Sequence, residues 1–595
     1  MILLKKEKIN MTWDLSAMYE GFECEAFKID MRTLEETIEK LNSWGNTNLQ
    51  NTDEADRKLE EYMRLYETYS VVYDKLACFT SLVSAADVND MKAQKIMLSL
   101  DRKAIEAQNV QVAFPKWLGQ VEHIDSIIED SSYLKEYEFI IKEMKDKNSH
   151  MLSEEIEVAL SKMELTGSRS WEKLRNSLTA NLMVPITING KEEILSLNKL
   201  RNLLLSPDAA LRKAASEAER KSYKSIEEGV AAALNGIKGE VITVSEMKGY
   251  ESPLKRTLIE ARMDEETLNS MMSAIKESLK DFQRYFKKKA QLLGYEDKLP
   301  YYDLMAPIGK VDKEYTYEEA RDFIVKHFYS FSDVMGKMGE EAFEGWIDSE
   351  PREGKRGGGG CLNLHAIKQS RIVCSYDDSF ENVCMLAHEL GHAYHGLVLG
   401  EEKLINTRYP MPLAETASIF SENIVRNAAI KEASCEEALH ILATELLNCA
   451  STIVDIYARF LFEKEVFQRR KHGDLSVEEI KEIMLWAEKE AYGEAIDENT
   501  LDPYAWIHKP HYYFPDRNFY NFPYSFGLLF AKGLYSQYLK DGDAFIEKYN
   551  QILSLTGKAD VYDVGNFAGI DVHDVNFWRS SLDIIRKDIE KFCEL

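Results

Sequence analysis

Asp378-Ser-Phe-Glu-Asn-Val-Cys-Met-Leu-Ala-His-Glu-Leu-Gly-His-Ala-Tyr-His395 is the stretch from which the rest of the chain can be read. Phe380, Val383, Ala387, Leu390 and Tyr394 recur at helical spacing, and Ser379 before them is a residue type whose side chain caps a helix start. Such a helix places His388 and His392 one turn apart on one face. Both imidazoles can then reach one tetrahedral zinc ion, and Glu389 projects beside it as a general base. His395, three residues further on, is expected to pack or to support the site from behind instead of ligating. Cys384, one turn before His388, is a rival ligand on geometry. It ranks below the histidines, because thiolates more often complete closed structural sites and a buried free cysteine usually behaves as a small hydrophobe.

A catalytic zinc site needs a third protein ligand and an open fourth position. Met411-Pro-Leu-Ala-Glu-Thr-Ala-Ser-Ile-Phe-Ser-Glu422 can supply the ligand from a second helix, with Pro412 in the first turn. Glu415 and Glu422 lie two turns apart on one face. Either can ligate while the other hydrogen-bonds behind the site.

Away from this centre the sequence bounds the class of protein. The chain has 595 residues, 45% of them hydrophobic, enough for one large multi-lobed enzyme or two to three cooperating domains. Its net charge of -27 comes without any long Lys/Arg cluster, which argues against nucleic acid or an anionic membrane as partner. Eight scattered cysteines form no CxxC pair, so disulfide stapling is not expected. Met1-Ile-Leu-Leu-Lys-Lys-Glu-Lys8 turns charged too soon for a secretory leader, and a reducing, cytoplasmic location is expected. The apolar stretch from Ala438 to Phe462 carries His440, Glu445, Asp455 and Arg459, and reads as a buried or amphipathic helix.

The first part of the chain reads as long helices: no proline precedes Pro115, and Leu59, Tyr62, Met63, Tyr66, Tyr73 and Leu76 follow helical recurrence. The same periodicity returns over 153–182, 206–247 and 264–293. Val184-Pro-Ile-Thr-Ile-Asn-Gly-Lys-Glu-Glu-Ile-Leu195 reads as a hairpin turning at Asn189-Gly190. A second non-helical region, about 354–376, contains the consecutive glycines 357–360 and then a strand at Arg371–Tyr376. A third, 502–524, gathers four prolines with Tyr504, Tyr512, Tyr513, Tyr520, Tyr524, His508 and His511, and reads as a structured aromatic loop.

Taken together, His388-Glu-Leu-Gly-His-Ala-Tyr-His395, Ala414-Glu-Thr-Ala-Ser-Ile-Phe-Ser-Glu422, and His511 with Phe519-Tyr-Asn-Phe-Pro-Tyr-Ser-Phe-Gly527 resemble the oligoendopeptidase F family, relatives of thimet oligopeptidase among the thermolysin-like zinc peptidases. Thr12-Trp-Asp-Leu-Ser-Ala-Met-Tyr19 and Ala568-Gly-Ile-Asp-Val-His-Asp-Val-Asn-Phe-Trp578 extend the likeness to both ends. The resemblance implies a mainly α, two-lobed enzyme with a deep substrate channel and a small β-sheet next to the zinc helix. It implies an N-terminal helical region over 1–110, an oligoendopeptidase-F-like helical region with a hairpin over 111–195, and a zinc peptidase domain over 196–595. It further implies one Zn2+ ion held by His388, His392 and Glu415, Glu389 as catalytic base, and His511, Tyr520 and Tyr524 as groups that bind the substrate carbonyl and stabilise the transition state. Phe522 and the four glycines depart from the family's more usual residues.

The expected activity is internal hydrolysis of short unfolded peptides by metal-activated water. Arg371–Tyr376 is expected to be an edge strand against which an extended peptide pairs, with the glycines allowing close approach. A metallocarboxypeptidase, a non-catalytic zinc-containing peptide-binding protein and a structural zinc protein are the competing readings.

Overall fold

The computed structural model describes residues 9–309 and 313–595, so the reading of Met1–Lys8 lies outside the described residues. The chain is mainly α and divides into two compact units, each assembled from separated segments. Met1–Met151, Lys313–Ala428 and Leu534–Ala568 form the first; Leu152–Asp312, Ala429–Gly533 and Gly569–Leu595 form the second.

In the first unit, helices Glu25–Asn48, Ala55–Ala86 and Met91–Gly119 pack against one another. The periodicity read from the sequence maps onto their core: Leu59, Tyr62, Met63, Tyr66 and Leu76 are buried, while Tyr73 is half-buried. Tyr62 stacks on Phe114 with ring planes 8° apart, joining the second of these helices to the third. This unit also holds a three-stranded sheet of β3 (Ile347–Asp348), β4 (Gly360–Leu364) and β5 (Gln369–Val373) in the order β3-β5-β4. The sheet lies against the helix Phe380–Leu399.

Here the structure corrects an expectation. The strand over Arg371–Tyr376 is not an edge: β5 is central, parallel to β3 on one side and antiparallel to β4 on the other. Burial of Ser370, Arg371, Ile372 and Val373 in succession reflects that central place. The short segment Ile347–Asp348 takes the outer side of β5, a pairing that no local pattern announces. The edges of this sheet are therefore the two-residue β3 and the longer β4, which begins on the last of the four glycines.

In the second unit, β1 (Met183–Ile188) and β2 (Lys191–Ser196) form the hairpin, with Asn189 at φ 52° and Gly190 at φ 78°. Two successive left-handed residues are what a type I′ turn demands. The periodic stretch 153–182 is two helices, Glu154–Thr166 and Ser168–Ala180. The break has a tertiary cause. The Glu240 carboxylate accepts the Ser168 N–H at 2.8 Å and its hydroxyl at 2.5 Å, and a Cβ on Gly167 would strike that carboxylate. Helices Ala209–Tyr223 and Glu227–Met247 fill 206–247, and Glu265–Leu292, capped by Asp264, fills 264–293. Cys435–Arg470 is helical throughout with a π-helical turn at Ser451–Asp455. By length and composition it could cross a membrane, yet 56% of its most apolar window is buried inside the protein. None of the eight cysteines, all among the described residues, is in a disulfide.

Candidate active site

The helix Phe380–Leu399 starts as its sequence requires. Ser379 Oγ accepts the Asn382 N–H at 3.2 Å, and Asp377 accepts both the N–H and the hydroxyl of Ser379. Phe380, Val383, Ala387, Leu390 and Tyr394 are all buried, which turns His388 and His392 to one face with ring centroids 4.9 Å apart. Glu415 sits where the short turn Met411–Ala414 gives way to the helix Thr416–Glu432. Its Oε2 lies 3.2 Å from His388 Nε2 and 3.5 Å from His392 Nε2, and it accepts the Ser418 hydroxyl at 2.7 Å.

Two glycines make this arrangement of the site possible. A Cβ on Gly391 would stand 2.5 Å from the Ala417 carbonyl oxygen and 2.6 Å from Ser418 Cα, so the two helices meet backbone to backbone at that point. A Cβ on Gly359 would stand 2.9 Å from Glu389 Oε1. The glycine next to β4 therefore leaves room for the Glu389 carboxyl.

His388, His392 and Glu415 bring one donor atom each to within 4.8 Å of one another. Donors around a tetrahedral zinc with bonds of about 2.0–2.1 Å lie about 3.4 Å apart, so the observed 3.2 and 3.5 Å fit such an ion. Cys384 is buried and is not part of this set. Of the two glutamates on the second segment, Glu415 faces both imidazoles. Glu422 lies behind, with Oε2 3.4 Å from His388 Nδ1 and its other oxygen paired to Arg426. A proton on His388 Nδ1 directed to Glu422 leaves the Nε2 lone pair free toward Glu415. His395 is fully buried, with Nε2 2.9 Å from Thr556 Oγ1 and its ring stacked on Tyr409, as expected of a packing residue.

Glu389 is 7% exposed, and its Oε2 has no hydrogen-bond partner among the described residues. Burial pushes its carboxyl up to about 6, with His388 opposing and the Glu415 charge adding to the rise. Burial also works against ionisation of Glu415, but His388, His392 and the Ser418 hydroxyl outweigh it and hold that carboxyl near 2. Burial, helped by His388, pushes His392 down to about 4, so its imidazole is neutral at pH 7.

The second unit collects the late aromatic groups. His511 lies in the short turn Pro510–Tyr513, stacked on Tyr520 with centroids 5.1 Å apart, and the Tyr524 hydroxyl donates to that of Tyr520 at 3.0 Å. The segment is less of a loop than its composition suggests: Ala505–His508 is a helical turn, and the helix Phe522–Asp541 already includes Tyr524. Tyr520 is aimed by a turn at Phe519, whose φ is 51°. The Phe519 N–H donates to Glu463 Oε2 at 3.0 Å, and buried Lys238 donates to Glu463 Oε1 at 2.6 Å and to Asn518 Oδ1 at 2.9 Å. His511 Nδ1 lies 3.1 Å from Arg459 Nη1. Burial, and then the charges of Arg459, Lys509 and Arg175, push its imidazole down to about 4.

Lys238, Glu463, Asp455, Arg459 and Lys509 escaped the motif reading. The signal that could have found two of them was Asp455 and Arg459, four residues apart inside a largely apolar helical run, since buried charges persist only when paired.

Residues 202–584 match the model of peptidase family M3, and residues 120–183 match that of oligopeptidase F. The chain is 23% identical to an oligoendopeptidase F homolog of Lactococcus lactis subsp. lactis, over 98% of this chain and 97% of that one. It is 25% identical to oligopeptidase PepF of Bacillus subtilis, over 76% and 68%. Among solved structures, oligoendopeptidase-F from Enterococcus faecium superposes with a TM-score of 0.69 at 18% identity, covering 95% of this chain and 99% of that one. PZ peptidase A with a bound inhibitor superposes with a TM-score of 0.68 at 16% identity, covering 96% and 99%. A family model that spans most of the chain and coincides with the His388–His392–Glu415 cluster leaves one conclusion: the chain is a metalloendopeptidase that belongs to peptidase family M3.

Proposed function

We propose that this protein is a zinc-dependent endopeptidase that hydrolyses internal bonds of short, unfolded oligopeptides, with His388, His392 and Glu415 holding one Zn2+ ion and Glu389 as general base. The observation that carries the reading is the placement of a buried carboxyl oxygen without a partner, Glu389 Oε2, next to three donors spaced for one metal ion. A divalent ion held there supplies Lewis-acid activation of water and of a peptide carbonyl. Glu389 accepts the proton of the attacking water and returns it to the departing amine nitrogen. Burial favours this role, because a carboxyl raised toward 6 is a stronger base than an exposed one. Glu422 orients His388 from behind. By family likeness we assign His511, Tyr520 and Tyr524 to the carbonyl oxygen, where an N–H or O–H donor stabilises developing negative charge.

The substrate backbone pairs with the free edge of β4, not with β5, and Gly359 lets it pass close to Glu389. Main-chain pairing suits broad sequence tolerance. The acidic composition and eight cysteines outside any disulfide fit a cytoplasmic enzyme working on peptides, with neither nucleic acid nor membrane as partner.

The test is mass-spectrometric mapping of cuts in a library of peptides blocked at both ends, with native, chelator-treated and zinc-restored protein. Internal cuts that vanish with the chelator and return with zinc are expected. Trimming restricted to free C-termini would replace the endopeptidase reading with a carboxypeptidase one.

A further inference from the structure

His511 is the one imidazole of the late segment whose surroundings dictate where its proton sits. Its Nδ1 faces two side-chain nitrogens, Arg459 Nη1 at 3.1 Å and Asn521 Nδ2 at 3.4 Å. A guanidinium can only donate, since arginine stays protonated in proteins. The Asn521 amide follows from the same constraint: its Oδ1 lies 3.5 Å from Arg459 Nη1 and must accept, which turns Nδ2 toward the imidazole as a second donor. Two donors on Nδ1 exclude a proton there. Arg459 is itself tethered, with Nε 2.7 Å and Nη2 2.5 Å from Asp455 Oδ2, while Lys509 Nζ donates to Asp455 Oδ1 at 2.6 Å. Asp455 closes the π-helical turn Ser451–Asp455, and π-turns inside helices recur at functional sites.

We propose that Arg459, held by Asp455, is a positioning residue that fixes His511 as the neutral imidazole bearing its proton on Nε2, so that this ring serves the reaction as a hydrogen-bond donor and not as an acid or base. The inference rests on the assignment of His511 to the substrate carbonyl made above. The usual partner of a catalytic histidine is a carboxylate or carbonyl, which accepts from the ring and stabilises its charged form. Here a cation occupies that position and has the opposite effect. A neutral donor keeps its proton when negative charge develops on the carbonyl oxygen, and a ring held neutral around pH 7 offers the same donor across that range. The charged groups that act most strongly on the ring are Arg459 and Asp455 from the helical run, Lys509 from its own segment and Arg175 from the helix Ser168–Ala180; of these, only Asp455 favours the imidazolium.

The test uses the full zinc-loaded chain with 15N-labelled histidine. Long-range 1H–15N spectra distinguish a protonated ring nitrogen from a bare one, and the His511 signals are identified by their loss in His511→Gln. The wild type is expected to show a protonated Nε2 and a bare Nδ1 from pH 6 to 8. Arg459→Met, of similar length but without a donor, is expected to give a mixture of tautomers, to protonate His511 at higher pH, and to lower kcat by about 10- to 100-fold, the range typical for loss of a residue that orients a catalytic or ligating group, with KM little changed. Arg459→Lys, which keeps charge and a donor, should restore part of that loss. A proton on Nδ1 in the wild type would overturn the proposal without recourse to any variant, and so would an unchanged tautomer in Arg459→Met. Full peptide cleavage by His511→Gln, with the tautomer as stated, would instead overturn the assignment of His511 on which the proposal depends.

Discussion

Replacing Gly391 by alanine adds one methyl group at the point where the two ligand-bearing segments meet. The new Cβ would lie 2.5 Å from the Ala417 carbonyl oxygen, 2.6 Å from Ser418 Cα and 2.7 Å from Ser421 Oγ. Two of these neighbours are backbone atoms of a helix and cannot rotate away. Comfortable contact needs about 3.5 Å, so the helix Thr416–Glu432 must retreat by nearly 1 Å at its start, beside Glu415. Metal–ligand distances tolerate only about 0.2 Å. Glu415 would then fall short of the position it now holds 3.2 and 3.5 Å from the two imidazoles. Overpacking of this kind costs about 1–3 kcal/mol. The expected outcome is a zinc affinity lower by at least about 10-fold, on the scale set by misplaced ligand shells, with unfolding a few degrees lower. Competition with a chromophoric chelator measures the affinity, and thermal unfolding of metal-free protein measures the packing cost on its own. Gly396→Ala on the same helix is the control, because the three atoms nearest its Cβ, at 2.3–2.7 Å, all belong to the side-chain amide of Asn363 and none to a backbone. Zinc affinity in Gly391→Ala within a factor of two of wild type would refute the argument that backbone contact at Gly391 sets the position of Glu415.

Glu389→Gln should keep zinc and fold but lower kcat by at least about 100-fold, as loss of a general base does; metal analysis beside peptide turnover checks it. In wild type the acidic limb of activity should report the same group: protonation as pH falls through about 6 removes the base, and bound metal, being cationic, should move that limb lower. Its persistence unchanged in Glu422→Gln would show that it does not belong to the carboxylate behind His388, whereas zinc affinity in that variant should fall by about 10- to 100-fold. Lys238→Met strands the buried Glu463 carboxylate and should cost about 3–5 kcal/mol, read by denaturant unfolding, with peptide cleavage reduced as the turn at Phe519 loosens.

Much of this was legible in the residues themselves because the rules involved are local. Helical spacing from Phe380 to Tyr394, a serine cap, and two histidines one turn apart require only a few consecutive residues, and they determined the helix and the imidazole pair. Asn189-Gly190 determined its turn for the same reason, since φ of 52° and 78° suits these residue types and few others. The break at Gly167 was hidden because its cause, Glu240, lies 72 residues from the Ser168 it binds.

Tertiary structure decided what depended on meeting partners. Glu415 and Glu422 share a helical face, and their spacing left either free to face the imidazoles. The close approach at Gly391 brings Glu415 to both rings and puts Glu422 behind one of them. The strand over Arg371–Tyr376 was readable as a strand but not as a central one, because a two-residue segment at Ile347–Asp348 claims one side of it while β4 takes the other. Arg459 and His511 stand 52 positions apart, and only folding makes a cation the partner of that ring. Sequence periodicity reports which face of a segment avoids water, whereas the identity of the partner on that face is set by packing between segments that the chain order does not relate.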